Sequence, residues 1–110
     1  MGSLKSFNSL NDSSEFSLIF KESSRWHSKY AVIFYKATDE KKSGFIASKK
    51  VGNSVKRNLA KRRLRAIFVE FCDTLIGGTY IFVAKESINS VSYEELKNSI
   101  LWSFKKLGCI

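Results

Sequence analysis

No proline occurs anywhere in the 110 residues, only two cysteines and one histidine do, and each shortage narrows what the chain can be. Without proline there is no rigid turn or Pro-rich linker to mark a hinge between domains, and the length has room for one hydrophobic core. A single domain over residues 1–110 is the expectation. Cys72 and Cys109 form no Cys-x-x-Cys pair. Cys72 falls inside an apolar helical pattern and reads as core, and a disulfide to Cys109 is possible but unneeded, so a reducing cytoplasm is expected. With His27 as the only imidazole, a zinc site of the usual His and Cys kind lacks ligands. No run approaches the roughly 20 apolar residues that cross a bilayer. Met1–Lys5 lacks the apolar centre of a signal peptide, and Gly2 with Ser6 fits a myristoylation pattern that nothing else supports.

Signals for catalysis are equally thin. Asp12, Glu15, Asp39 and Glu40 have no metal-binding spacing, and His27 has no adjacent acidic cluster. A nuclease centred on protein needs a general base or carboxylates that hold metal ions. Val51-Gly52 belongs to no GxxxxGK[ST] loop, so nucleotide hydrolysis has no support. The chain is not expected to do chemistry alone.

What is present is apolar surface and localised positive charge. Hydrophobic residues make up 44% and aromatics 14%, which argues for a folded domain over a disordered basic tail. The net charge of +9 comes from one place. Lys41 to Arg65 holds ten basic residues and no acidic one, whereas the other 85 residues hold nine Lys or Arg against ten Asp or Glu. Concentrated like charge is an electrostatic footprint for a polyanion; the competing reading, a merely solvated helix face, leaves the mutual repulsion without compensation.

Asn11 or Asp12 can cap a helix running to about Glu22, with Leu10 as an outside staple, Glu15 in the first turn, and Phe16, Ile19 and Phe20 on one face. Tyr30 to Ala37 reads as a strand, with Val32 and Phe34 on one face and Ile33 and Tyr35 on the other. Thr38 to Lys42 reads as a hairpin connection and Gly44 to Ser48 as the returning strand; Arg25 to Ser28 is ambiguous. Asn53 or Ser54 can cap a long helix to about Leu75 whose apolar stripe is Ala60, Leu64, Ile67, Phe68, Phe71 and Leu75. Asn58, Lys61, Arg62 and Arg65 form a separate polar face of the same helix, and Lys56 and Arg57 lie in its first turn. Gly77-Gly78 turns into the apolar strand Thr79–Ala84, which suits an inner position. Ser92 with Glu95 makes a capping box for a last helix carrying Leu96, Ile100, Phe104 and Leu107, with Gly108 as its stop. The element order implies a two-layer α+β domain.

Two surfaces can carry function. Basic side chains on a rigid helix meet phosphates at little ordering cost, and arginine adds a planar fork that also packs on bases. Phe16, Phe20 and Phe34 can line a groove on which unpaired bases stack, rimmed by Lys21, Lys29 and Lys36, although phenylalanine at helical spacing is more often core. Trp26 and Trp102 have no assigned role.

The stretch Ser48-Lys49-Lys50-Val51-Gly52-Asn53-Ser54-Val55-Lys56-Arg57-Asn58-Leu59-Ala60-Lys61-Arg62-Arg63-Leu64-Arg65 resembles the signature of the bacterial ribonuclease P protein subunit. Phe16-Ser17-Leu18-Ile19-Phe20 is similar to the first-helix pattern of that family, and the later strand and the Ser92 to Glu95 helix start fit its layout. The resemblance implies a compact two-layer α/β sandwich with a mixed sheet and a left-handed βαβ crossover, against the usual preference. It implies as partners a catalytic RNA and precursor tRNA, no membrane, and a monomeric protein in the complex. The activity implied is hydrolytic removal of the 5′ leader, with the active site and its Mg2+ in the RNA and no metal site assigned to protein. Lys49, Lys50, Asn53, Lys56, Arg57, Asn58, Lys61, Arg62 and Arg65 would bind RNA, and Phe16, Phe20 and Phe34 would form the leader cleft. Leu59 departs from the pattern, which usually has arginine there; it can be an exposed apolar contact, or Arg63 can supply the missing charge. A ribosomal or other structural RNA-binding protein without a cleavage role is the main rival reading, and a DNA-binding helix module a weaker one because no helix-turn-helix pattern is present.

Overall fold

The run Thr79–Ala84 is apolar toward both of its faces, and such a strand needs cover on each. The computed structural model of the chain describes residues 8–9 and 13–110 and gives it that cover. The elements in order are β1 (Asn8–Ser9), α1 (Ser13–Glu22), β2 (Ser24–His27), β3 (Ala31–Lys36), β4 (Lys42–Ile46), α2 (Ser54–Phe71), β5 (Thr79–Ala84), a 3-10 turn (Glu86–Ser90) and α3 (Tyr93–Leu107). The strands form one mixed sheet in the order β1-β4-β5-β3-β2, with β5 at its centre. Leu10, Asn11 and Asp12, the expected staple and caps of α1, lie outside the described residues.

The hairpin expected at Thr38 to Lys42 is not formed. β5 inserts between β3 and β4, antiparallel to β3 from Ala31↔Ala84 to Lys36↔Thr79 and parallel to β4 from Lys42↔Thr79 to Ile46↔Val83. The local turn reverses the chain, but pairing β4 directly with β3 would leave β5 as an apolar edge. Burial of the most apolar strand decides the order, and α2 becomes the crossover between the parallel strands β4 and β5. The ambiguous segment before Ser28 is the edge strand β2, antiparallel to β3.

Side-chain alternation sorts the sheet into two faces. On one, Ile33, Tyr35, Tyr80 and Phe82 pack with Ala60, Leu64, Ile67 and Phe68 of α2 and Leu96, Ile100 and Phe104 of α3. Aromatic rings interlock there, Phe82 lying edge-on to Phe68 at 5.5 Å and to Phe104 at 6.0 Å. On the other, Phe34 and Ile81 pack with Ile19 of α1, with Phe16, Phe20, Val32, Ile46 and Val83 partly buried around them. α1 covers only part of this second face, which leaves a groove.

Both long helices end as their residues dictate. Ser92 Oγ accepts the Glu95 N–H at 3.1 Å, and the Glu95 carboxylate accepts the Tyr30 hydroxyl. Gly108 sits at φ +76°, and the Cys109 N–H then reaches the Phe104 carbonyl at 2.9 Å, which seats Cys109 in the core. α2 stops at Phe71, short of the expected Leu75, which is buried in the following turn.

Candidate nucleic-acid interface

The start of α2 is fixed by a short chain of backbone bonds. Val51 N–H reaches the Ser48 carbonyl at 3.0 Å and Gly52 N–H the Lys49 carbonyl at 3.1 Å. This turn buries Val51 and leaves Lys49 and Lys50 exposed. Gly52 has φ +142°, and a Cβ there would stand 2.6 Å from Lys56 Cδ, so the chain enters the helix through a position that favours glycine. Asn53 is the N-cap: its Oδ1 accepts the Lys56 N–H at 3.0 Å. Of the residues expected to bind RNA, Asn53 therefore has its acceptor engaged by the helix, and its amide N–H groups remain.

Beyond the cap, Lys56, Asn58, Arg62 and Arg65 are exposed, and Arg57 and Lys61 are half-buried. Ion pairs among the described residues join Lys36 to Glu22, Lys42 to Glu40 and Lys97 to Glu70. None of them involves Lys49, Lys50, Lys56, Lys61, Arg62 or Arg65, so this face keeps its charge uncompensated by any described carboxylate. Arg65 is steadied by an apolar neighbour: its guanidinium carbon lies 5.2 Å from the Phe45 ring centroid. Arg63 does not replace the charge missing at position 59. Its Nη1 and Nη2 donate to the Ile88 and Val91 carbonyls at 2.7 and 2.6 Å, turning it away from the polar face. Leu59 is 38% exposed, an apolar spot within that face.

Across the sheet, α1 and the uncovered part of the second face enclose a cavity of about 330 Å³ lined by Phe20, Arg25, His27, Val32, Phe34 and Val83. Phe20 meets Phe34 edge-on at 4.7 Å, and Phe16 stands 6.2 Å behind Phe20 as a buttress. Phe34 is only 9% exposed, so it supports the floor more than it offers a stacking surface. The expected lysine rim is not realised. Lys36 pairs with Glu22, holding that carboxyl below its ordinary range by hydrogen bond and charge, and Lys29 Nζ lies over Tyr30 at 5.7 Å. Arg25 and His27 take the rim instead. Sequence reading missed them because the segment was ambiguous, yet the alternation Arg-Trp-His next to a strand was the available signal. Val83 also lines an adjoining cavity of about 500 Å³ with Ser48, Lys50, Ala84, Lys85 and Glu86, so the groove runs on toward the start of α2.

The family model described as ribonuclease P matches residues 4–108. The chain belongs to the ribonuclease P protein family. A ribonuclease P protein component from a Nitratiruptor species is 39% identical over 93 residues, covering 84% of this chain and 85% of the relative. That of Bacillus mycoides is 32% identical, covering 96% and 95%. Among solved structures, a Staphylococcus aureus RNase P protein mutant with defective mRNA degradation activity superposes with TM-score 0.87 at 22% identity, covering 97% of this chain and 92% of that one. The Thermotoga maritima RNase P protein gives 0.77 at 24% identity, covering 90% and 96%. The ribonuclease P protein fold expected from the sequence is the observed one.

As a ribonuclease P protein, the chain is an RNA-binding subunit that acts in tRNA processing within a ribonucleoprotein enzyme. Among the described residues no three His, Cys, Asp or Glu side chains gather to hold a metal ion.

Proposed function

We propose that the exposed face of α2 docks on the catalytic RNA while the groove beside α1 takes the single-stranded 5′ leader of precursor tRNA. The observation that carries this reading is the pairing of two unlike surfaces on one sheet. One is a rigid cationic helix whose exposed charges no described carboxylate neutralises. The other is an apolar, aromatic groove that opens toward Lys50 through the shared residue Val83. Phosphate-dense structured RNA suits the first, and unpaired bases suit the second. The protein then contributes charge neutralisation and positioning, and the hydrolytic centre with its Mg2+ belongs to the RNA. A reducing cytoplasm suits Cys72 and Cys109, which are not joined in a disulfide and are both buried.

Reconstitution tests the reading. Adding this chain to its cognate RNA should raise precursor-tRNA cleavage at low Mg2+, with the protein alone inactive. An absence of stimulation would favour a structural RNA-binding role. For the groove, Phe20→Ala should weaken binding of precursor tRNA more than of mature tRNA. Equal losses would return Phe20 to a packing role.

A further inference from the structure

The outer wall of the groove is built by the edge strand β2, and its chemistry differs from that of the aromatic floor. β2 pairs with β3 so that Arg25 stands opposite Phe34 and His27 opposite Val32. Alternation sends these two side chains into the groove, whereas Trp26 turns to the α3 side, where Lys106 Nζ lies 6.0 Å from its ring. The guanidinium carbon of Arg25 lies 5.5 Å from the Phe34 ring centroid, a contact that holds the cation over the floor. Phe34 is thus flanked by Phe20 and Arg25, and together they account for its low exposure. Both Arg25 and His27 are exposed, and no described carboxylate pairs with Arg25. A groove meant for an apolar chain gains nothing from an unneutralised guanidinium at its wall. A groove meant for a strand of alternating bases and phosphates does.

We propose that Arg25 and His27 form a nucleotide subsite on the β2 wall. Arg25 takes a phosphate of the single strand through its N–H fork, and His27, two residues along the same face, hydrogen-bonds the adjoining ribose or base edge while that base lies on Phe20. The subsite rests on the reading of this groove as the leader site. It also has a defined place along the leader. In the sheet order β5-β3-β2, the Arg25 wall stands two strands from Val83, roughly 10 Å from the exit toward Lys50. Arg25 therefore meets a different nucleotide from the one near Lys50.

The test uses the holoenzyme reconstituted with its cognate RNA, and precursor tRNAs whose leaders are shortened one nucleotide at a time. Arg25→Ala should weaken binding of long-leader substrate about tenfold, the size of one charge-assisted hydrogen bond, and leave mature tRNA unchanged. The loss should vanish in one step, at the leader length that no longer reaches the β2 wall. The logarithmic salt dependence should become shallower by roughly 0.7, and Arg25→Lys should restore that slope while recovering only part of the affinity. His27→Ala should give a smaller loss with the same leader-length step and no change in slope. Wild-type affinity for Arg25→Ala at every leader length overturns the subsite, as does a loss shared equally by mature tRNA. Phe20→Ala separates the two levels. A leader-specific loss there with none at Arg25 removes the subsite and keeps the groove, and no leader-specific loss in either variant removes both.

Discussion

Arg63 Nη1 donates to the Ile88 carbonyl at 2.7 Å, across the gap between α2 and the 3-10 turn. Its Nη2 holds the Val91 carbonyl at 2.6 Å, and Asn89 Nδ2 returns a bond to the Lys56 carbonyl at 2.9 Å. The helix that displays the charges is thus tied down by one of its own arginines. Arg63→Ala leaves these carbonyls without a charged donor, and should cost about 2–3 kcal/mol in denaturant unfolding. Arg62→Ala, one residue away on the exposed face, should change stability by less than about 0.5 kcal/mol. Similar costs for both would mean that the Arg63 bonds contribute little.

The same contrast should invert in RNA binding. If about six phosphates are neutralised, the logarithm of affinity falls against the logarithm of salt with a slope near −5 for duplex-like contacts. Replacing Lys61, Arg62 and Arg65 together by alanine should make that slope shallower by roughly 2.7, about 0.9 for each contact. An unchanged slope, read by titration at several salt concentrations, would place the RNA elsewhere on the surface.

Much of this was legible in the sequence, and the failures have physical causes. The stripe Ala60, Leu64, Ile67 and Phe68 is the buried side of α2, as helical periodicity requires, and Asn53 caps it. Strand pairing was not legible in the same way. Turn residues at Thr38 to Lys42 report a local reversal, but which strands become neighbours depends on where Thr79–Ala84 finds cover, a choice made by residues some 40 positions away. Helical periodicity placed Arg62 on the polar face with Asn58, Lys61 and Arg65 and left Arg63 off it, with no partner of its own to read. The carbonyls that hold Arg63, that of Ile88 in the 3-10 turn and that of Val91 just beyond it, are announced by no pattern in α2. Arg25 and His27 were hidden for a related reason, since an edge strand of four residues carries too short an alternation to stand out.

Asn53 has two roles that substitution can separate. Asn53→Ala removes the acceptor for the Lys56 N–H and should cost about 1 kcal/mol of stability. Asn53→Asp keeps an N-cap of similar quality at the positive end of the helix, so thermal stability should hold or rise. It also places a carboxylate beside Lys49, Lys50 and Lys56, so affinity for the catalytic RNA should fall. An aspartate variant that binds RNA as well as the native protein would show that Asn53 serves the helix and leaves the RNA untouched.

Alkaline pH should reach the core through Cys109. The thiol is fully buried, and burial raises its pKa above the ordinary 9.0, against a smaller lowering from its hydrogen bond with Tyr80. A raised folded-state pKa means that the neutral thiol is the form the fold accepts. Its contribution to stability is complete below the unfolded value and is lost as pH rises through the folded one. Tm should therefore stay level from pH 7 to about 9 and then decline. Tyr80, whose pKa burial also pushes up from an ordinary 10.0, should begin to contribute about one pH unit later. In Cys109→Ala the decline should start nearer pH 10, with only the tyrosine step left. Alkylation gives an independent reading: at pH 8 the native protein should protect Cys72 and Cys109 alike, and both should react once denaturant opens the core. Rapid native-state labelling of Cys109, or an alkaline limb unchanged by its replacement, would mean that the Gly108 turn does not keep this residue inside.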